Sequence, residues 1–305
     1  MLDLHRLRLL RELDQRGTIA AVADALRFTP SAVSQQLAVL QREAGVPLLE
    51  RAGRGVRLTD PARVLVGHAD VLLDRAAIAE AELAAASGSV AGRARIASFQ
   101  STALRVALPV IRRLAAEAPG LRCELVEAEP AWSPPALAIG DVDLVLADEW
   151  EHQPLARPAG VAREDLCTDP VGVVLPADHP AARRPGPVAL RGLAGEPWAT
   201  GHPGTAWEDM TRRTCRALGG FDADIRHRAN DANVSLGLAA AGLACALIPD
   251  LPLRDRRPGI AIRSIAGGPI ERAIFAATRS ADAARPSTQA VLAAVGAAVA
   301  ALPAA

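Results

Sequence analysis

Residues 18–43, TIAAVADALRFTPSAVSQQLAVLQRE, constrain the fold more than any other stretch of this chain. Ile19, Val22, Ala23 and Leu26 recur at the spacing of one helical face, and Val33, Leu37 and Leu40 mark a second. Between them, Arg27-Phe28-Thr29-Pro30 ends one helix and starts the next. Thr29 offers a capping hydroxyl, and Pro30 stands at the first helical position, where a missing N–H does no harm. Two short amphipathic helices around a tight turn make a helix-turn-helix, with the polar face of the second open to a DNA groove.

At 305 residues the chain has room for two or three domains and a substantial core. Aromatic residues are 3% and Tyr is absent, so Ala, Leu and Val must build the interior. A formal net charge of zero argues against a dedicated polyelectrolyte binder, but local distribution matters more. Every basic side chain apart from His is Arg, and Arg51, Arg54 and Arg57 cluster just after the second helix. The opening MLDLHRLRLLRELDQ is charged throughout and lacks the apolar region and cleavage site of a signal peptide. The apolar run 290–305 is too short to span a bilayer. Val291, Leu292, Val295, Val299 and Leu302 share one stripe, so a packed terminal helix is expected. Cys123, Cys167, Cys215 and Cys245 form no C-x-x-C pair and are expected to be reduced, buried thiols. These features predict a cytoplasmic chain with no membrane partner and no metal.

Leu4, Leu7, Leu10 and Leu13 place an opening helix beneath the helix-turn-helix, and residues 46–59 carry two short β-type runs around a Gly- and Arg-rich turn. The sum is a winged helix-turn-helix over 1–59. Asp60-Pro61 then opens a helix of roughly 40 Å, at about 1.5 Å per residue, reaching about residue 86. Ala62, Leu65, Ala69, Leu72, Ala76, Ala79 and Leu83 alternate spacings of three and four, the seam of a helix that wants a partner. Leu65, Ala69, Leu72, Ala76 and Leu83 are the expected dimerisation residues. Residues 60–91 thus form a dimerising linker helix and hinge, ending in the flexible Ser87-Gly88-Ser89-Val90-Ala91-Gly92.

From Arg93 strand and helix alternate: strands at 94–98, 122–128 and 143–147, helices at 102–118 and 134–139. A second set follows with strands at 171–176, near Trp198, and at 223–228 and 243–249, and helices at 204–218 and 232–241. Late strands at 261–265 and 271–278 precede the terminal helix. The alternation implies parallel sheet with helices on its faces. Crossovers near Cys167 and Gly267 would divide 92–305 into lobe I (about 92–166 and 268–305) and lobe II (about 167–267), with a ligand cleft between them.

In this order the parts resemble a LysR-type transcriptional regulator. The resemblance covers essentially the whole chain and is strongest over 3–68, carried by GTIAAVADAL, TPSAVSQQLAVLQREAGVPLLER and GRGVRLTDPA. DVDLVLA (141–147), VVLPADHP (173–180) and AAGLACALIP (240–249) echo it further on. It implies an N-terminal all-α winged helix-turn-helix, a long dimerisation helix, and an α/β two-lobed effector domain like periplasmic binding proteins. It also implies a homodimer or dimer of dimers on double-stranded promoter DNA, a small-molecule co-inducer, and RNA polymerase as a further partner. Two alternatives stay open: a ligand-independent DNA-binding repressor of the same fold, and a small-molecule enzyme. The six histidines show no metal-ligand spacing, and neither G-x-S-x-G nor a strand-borne G-x-G-x-x-G occurs, so no catalytic residue is assigned.

Thr29, Ser31, Ser34 and Gln35 line the exposed N-terminal face of the second helix, where Gln can bond adenine bidentately and hydroxyls reach bases or phosphates. Family members often carry Arg where this chain has Gln35, and basic residues where it has Ala38 and Val39. More affinity is therefore asked of Arg54 and Arg57 on the wing. Arg51 joins them, with Glu50 or Asp60 as competing partners. For the effector, Gln100, Ser101 and Thr102 open a helix directly after the first strand, where free N–H groups attract an anion; in the family the corresponding loop borders the effector. Asp148 and Glu149 are expected to face the same cleft and to favour an amine. Gly204 and Thr205 offer donors from lobe II, with Asn230 beside them and Trp132 as an apolar wall or a packing residue. An amino acid or other amphoteric metabolite fits this set, with no other cofactor.

Overall fold

The computed structural model describes the chain except residues 54, 89, 131, 151, 156, 158, 159, 255, 256 and 303–305, and the side chains at 81, 84, 85 and 87. The described residues form two units, Met1–Gly88 and Ser89–Ala305. In the first, α1 (Leu4–Arg16), α2 (Ile19–Leu26) and α3 (Pro30–Ala44) precede the hairpin β1 (Leu49–Ala52) and β2 (Gly55–Leu58) and the 28-residue α4 (Asp60–Ser87). Capping side chains set the helix starts. Thr18 accepts from the Ala21 N–H at 3.1 Å and Thr29 from the Ala32 N–H at 3.2 Å. Gly45, at φ +70°, closes α3 in the left-handed conformation that costs glycine least.

Leu7, Leu10, Leu13, Val22, Ala23, Val33, Leu37 and Leu40 form the core of this unit, as the periodicity predicts, with Ile19 and Leu26 at its edge. Leu4 is instead exposed and Leu9 buried. The reason is that α1 packs against α2 and α3 on one side and α4 on the other, so its apolar face must be broader than one stripe. Ala62, Val66 and Ala69 are buried in this same core, and Leu65 packs against it. Leu65 and Ala69, expected in a dimer seam, are thus taken up by the unit's own packing. Leu72 and Leu83 stay exposed, and Ala76 is half-buried.

The second unit is built on one nine-stranded sheet. β3 (Gly92–Ser98), β4 (Leu121–Glu127) and β5 (Leu144–Trp150) pair in parallel, in the order β4-β3-β5. Short α5 (Gln100–Thr102) runs through a π turn (Ala103–Ala107) into α6 (Leu108–Glu117), and α7 (Ser133–Ile139) leads to β5. β6 (Val161–Pro176) follows, then β7 (Pro197–Thr200), α8 (Ala206–Thr214), β8 (Asp224–Arg228), α9 (Ala232–Ala240) and β9 (Cys245–Pro249). β7, β8 and β9 are again parallel. β10 (Ile260–Arg263), β11 (Glu271–Arg279) and α10 (Pro286–Ala300) complete the chain.

The sheet is mixed rather than all parallel. β11 pairs antiparallel with β5 and with residues 161–170 of β6, whereas residues 171–176 of β6 pair antiparallel with β9 and β10. One strand therefore runs unbroken through Cys167 and carries the chain from one lobe to the other. Its first half was not anticipated from sequence, because VAREDLCT is half polar and alternates poorly. In the first lobe Ile96, Leu144, Leu146, Val291 and Val295 fill one sheet face and Leu137, Val145, Ala147 and Phe275 the other. In the second, Trp198, fully buried, anchors a core with Val173, Leu175, Met210 and Leu247.

Candidate functional site

In the first unit, Ser31, Ser34 and Gln35 lie exposed on α3. Thr29 caps the helix and its hydroxyl lies 3.1 Å from that of Ser31, so these two side chains order the helix start while facing solvent. The neighbouring glutamines serve the fold. Gln36 accepts from Arg6 Nε at 2.9 Å, and Gln41 Oε1 accepts the Leu48 N–H at 2.9 Å, fixing the chain that enters the wing. On the wing Arg57 pairs with Glu50 across the hairpin at 2.7 Å, and Arg63 pairs with Asp60 at 2.5 Å. Arg51, for which those carboxylates were the expected competitors, is exposed. Arg54 lies outside the described residues.

In the second unit a cavity of about 230 Å³ opens at the carboxyl ends of the parallel strands of both lobes. The segments after β3, β4 and β5 bring Phe99, Gln100, Ser101, Glu129, Pro130 and Leu155, with Asp148 and Trp150 from β5 itself. Those after β7, β8 and β9 bring Gly204, Thr205, Trp207, Asn230 and Pro252. Arg272 of β11 reaches the cavity from beneath.

Of the residues expected here, Gln100, Ser101, Asp148, Gly204, Thr205 and Asn230 line the cavity; Thr102, Glu149 and Trp132 do not. Thr102 is fully buried, on the core side of the turn that brings Ser101 to the cavity. Glu149, the next residue on β5, projects from the opposite sheet face, where it accepts from Arg163 Nη1 at 2.7 Å and the Leu155 N–H at 2.9 Å. Trp132 is exposed. The donors expected of Gly204 and Thr205 are also engaged. The Gly204 N–H goes to Glu208 Oε2 at 2.9 Å and the Thr205 hydroxyl to the His202 carbonyl at 2.8 Å, so both shape the wall.

Arg272 and Asp169 were not anticipated. Arg272 Nη1 donates to Asp148 at 2.8 Å, its Nε and Nη2 to Asp169 at 2.9 and 2.6 Å, and Nη2 also to the Ser101 hydroxyl at 3.1 Å. All three charged side chains are more than nine-tenths buried. Burial pushes the Asp148 carboxyl above its ordinary range, and Arg272 opposes that shift without cancelling it. Burial also raises Glu129, with the nearby Glu127 and Asp148 adding to the effect and Asn230 opposing it. At the rim Gln100 donates to Asp231 and so joins the lobes, while Asn230 Oδ1 accepts the His202 N–H at 2.9 Å. Burial lifts the Cys215 and Cys245 thiols to about 12, which keeps them protonated and unreactive at neutral pH.

Gly201 sets how closely the rim packs. A Cβ there would lie 2.4 Å from the Thr205 hydroxyl and 3.3 Å from Asn230 Oδ1. Gly201→Ala is expected to displace the Thr205 cap and to destabilise the unit by about 1–3 kcal/mol, read as a lower melting temperature. An unchanged melting temperature would show that the 201–205 turn relaxes freely.

Residues 4–63 match the family described as bacterial regulatory helix-turn-helix protein, lysR family, and residues 87–300 match the LysR substrate binding domain. The small neutral protease regulatory protein of Streptomyces lividans is 31% identical over 286 residues, spanning 92% of this chain and 79% of its own length. A full-length OxyR variant from Pseudomonas aeruginosa has the same fold, with a TM-score of 0.71 at 19% identity over 98% of this chain and 95% of that one. Full-length CbnR complexed with its target DNA aligns at a TM-score of 0.55 and 20% identity, over 97% of this chain and 100% of that one. Both family matches fall on the units that carry the helix-turn-helix and the two-lobed cavity. The chain therefore belongs to the LysR-type transcriptional regulators, proteins that are not enzymes and that couple a DNA-binding helix-turn-helix to a domain for small effectors.

Proposed function

We propose that this regulator reads double-stranded promoter DNA in the cytoplasm with α3 and its wing, as a homodimer or dimer of dimers. In this proposal a small molecule held in the cavity between its lobes alters that binding. The observation that carries the DNA half is the polar, solvent-open face formed by Ser31, Ser34 and Gln35 on a helix whose opposite face is core. No helix among the described residues is long and apolar enough to cross a membrane. Gln35 has the chemistry for base readout, and Arg51 and Arg54 that for phosphate contact; Arg57 is a weaker phosphate partner because Glu50 already holds it.

Genome-wide mapping of bound sites, followed by footprinting with and without candidate effectors, tests both halves. Bound promoters sharing a two-fold symmetric motif are expected, as is a footprint that changes with ligand. On such a site Gln35→Ala should alter the preference at one base pair per half-site by about 1–3 kcal/mol. Arg51→Ala should instead weaken binding to all sequences and reduce the salt slope by about one. Equal losses on every sequence with unchanged salt slopes for both variants would sink this division of labour.

A further inference from the structure

We infer that the cavity takes an organic amine on an aromatic or bulky apolar frame rather than a carboxylate. This deepens the proposed effector role of the cavity and rests on it.

Arg272 is the one Arg, Lys or His side chain lining the cavity among the described residues. Its guanidinium is engaged with Asp148, Asp169 and Ser101, and its flat face lies over the Phe99 ring, 4.8 Å from the centroid. An incoming carboxylate would have to displace a buried aspartate from that arginine. Asp148 and Asp169 together already offset the charge of Arg272, and Glu129 adds a further acid at the cavity, opposed by the nearby His202. The N–H groups at the 100–102 turn pull the other way, but a helix start is worth only about half a positive charge.

An ammonium has the opposite fit. Asp148 and Glu129 both border the cavity, and burial has raised both carboxyls, so an arriving positive charge would relieve them. Trp150 and Trp207 line the cavity with the ring type that best attracts cations, Phe99 already lies against Arg272, and Leu155, Pro130, Pro249 and Pro252 complete an apolar wall. About 230 Å³ is the volume of roughly eight waters at about 30 Å³ each, enough for one ring and a short side chain.

The test is a titration of the full chain with 2-phenylethylamine, 2-phenylethanol and phenylacetate at neutral pH. Tryptophan fluorescence reports the cavity through Trp150 and Trp207, and melting temperature is followed in parallel. The amine is expected to bind at least tenfold more tightly than either analogue. Glu129→Gln, which keeps the size of the side chain and removes only its charge, should reduce that advantage about tenfold while moving the alcohol's affinity less than twofold. Preference for phenylacetate or the alcohol, or an amine advantage untouched by Glu129→Gln, overturns the charge assignment but keeps the cavity as a binding site. No response to any of the three compounds overturns both.

Discussion

Arg272→Ala is expected to destabilise residues 89–305 by about 3–5 kcal/mol, because it strands two buried carboxylates. Arg272 makes its bonds to Asp148 and Asp169 with side chains that are 7%, 9% and 3% exposed, so water cannot replace the lost partner. At roughly 2–4 °C per kcal/mol for a unit of this size, the melting temperature should fall by about 6–20 °C. The pH dependence has a definite sign. Burial already holds the Asp148 carboxyl above its ordinary range against the pull of Arg272, and removing the arginine raises it further above its unfolded value. The cost of its buried charge is therefore full at neutral pH and fades as pH falls through the folded value towards the unfolded one. The gap between wild type and variant should narrow as pH falls from neutral into the acid range. Adding Asp148→Asn and Asp169→Asn to Arg272→Met should recover most of the loss, since a neutral cluster leaves no uncompensated charge. A deficit independent of pH and unaffected by the two asparagines would make packing, not charge, the origin of the effect.

That triad also marks where sequence reasoning stops. Arg272 lies 103 residues from Asp169 and 124 from Asp148, and only the antiparallel seating of β11 between β5 and β6 brings them together. Nothing local distinguishes Arg272 from the chain's other arginines. The helix-turn-helix was legible because its signals are local: Thr18, Thr29-Pro30 and Gly45 act within four residues of where they stand. The cavity was legible in part for the same reason, since Gln100, Ser101, Thr205 and Asn230 sit at strand-to-helix junctions that the pattern located. Glu149 was misplaced because alternation along β5 sends neighbours to opposite faces, and the sequence did not say which of Asp148 and Glu149 faced the cleft. The same ambiguity affected α4, where a heptad period was plain but its two apolar stripes were not told apart.

Those stripes set up the other large expected effect. One stripe, with Ala62, Val66 and Ala69, is spent on the core under α1. Val64 and Val71, on another face, are exposed at 65% and 68%, and Leu72 and Leu83, where the first stripe runs on past that core, at 44% and 73%. Val64 and Val71 are one heptad apart, the repeat that keeps a seam facing a second helix. We therefore expect the dimer contact to run through Val64, Val71, Leu72 and Leu83 rather than through Leu65 and Ala69. Val71→Glu with Leu72→Glu should convert dimer to monomer in sedimentation while leaving the melting of residues 1–88 near wild type, because both positions are exposed. On a mapped two-fold site the monomer loses the effective concentration that links two half-sites, so affinity should drop about 10²–10⁴-fold. Binding to a single half-site should change little. Leu65→Ala should do the reverse, lowering the melting temperature of the unit while the folded chain remains dimeric. Persistence of the dimer in the double glutamate variant would move the interface off α4.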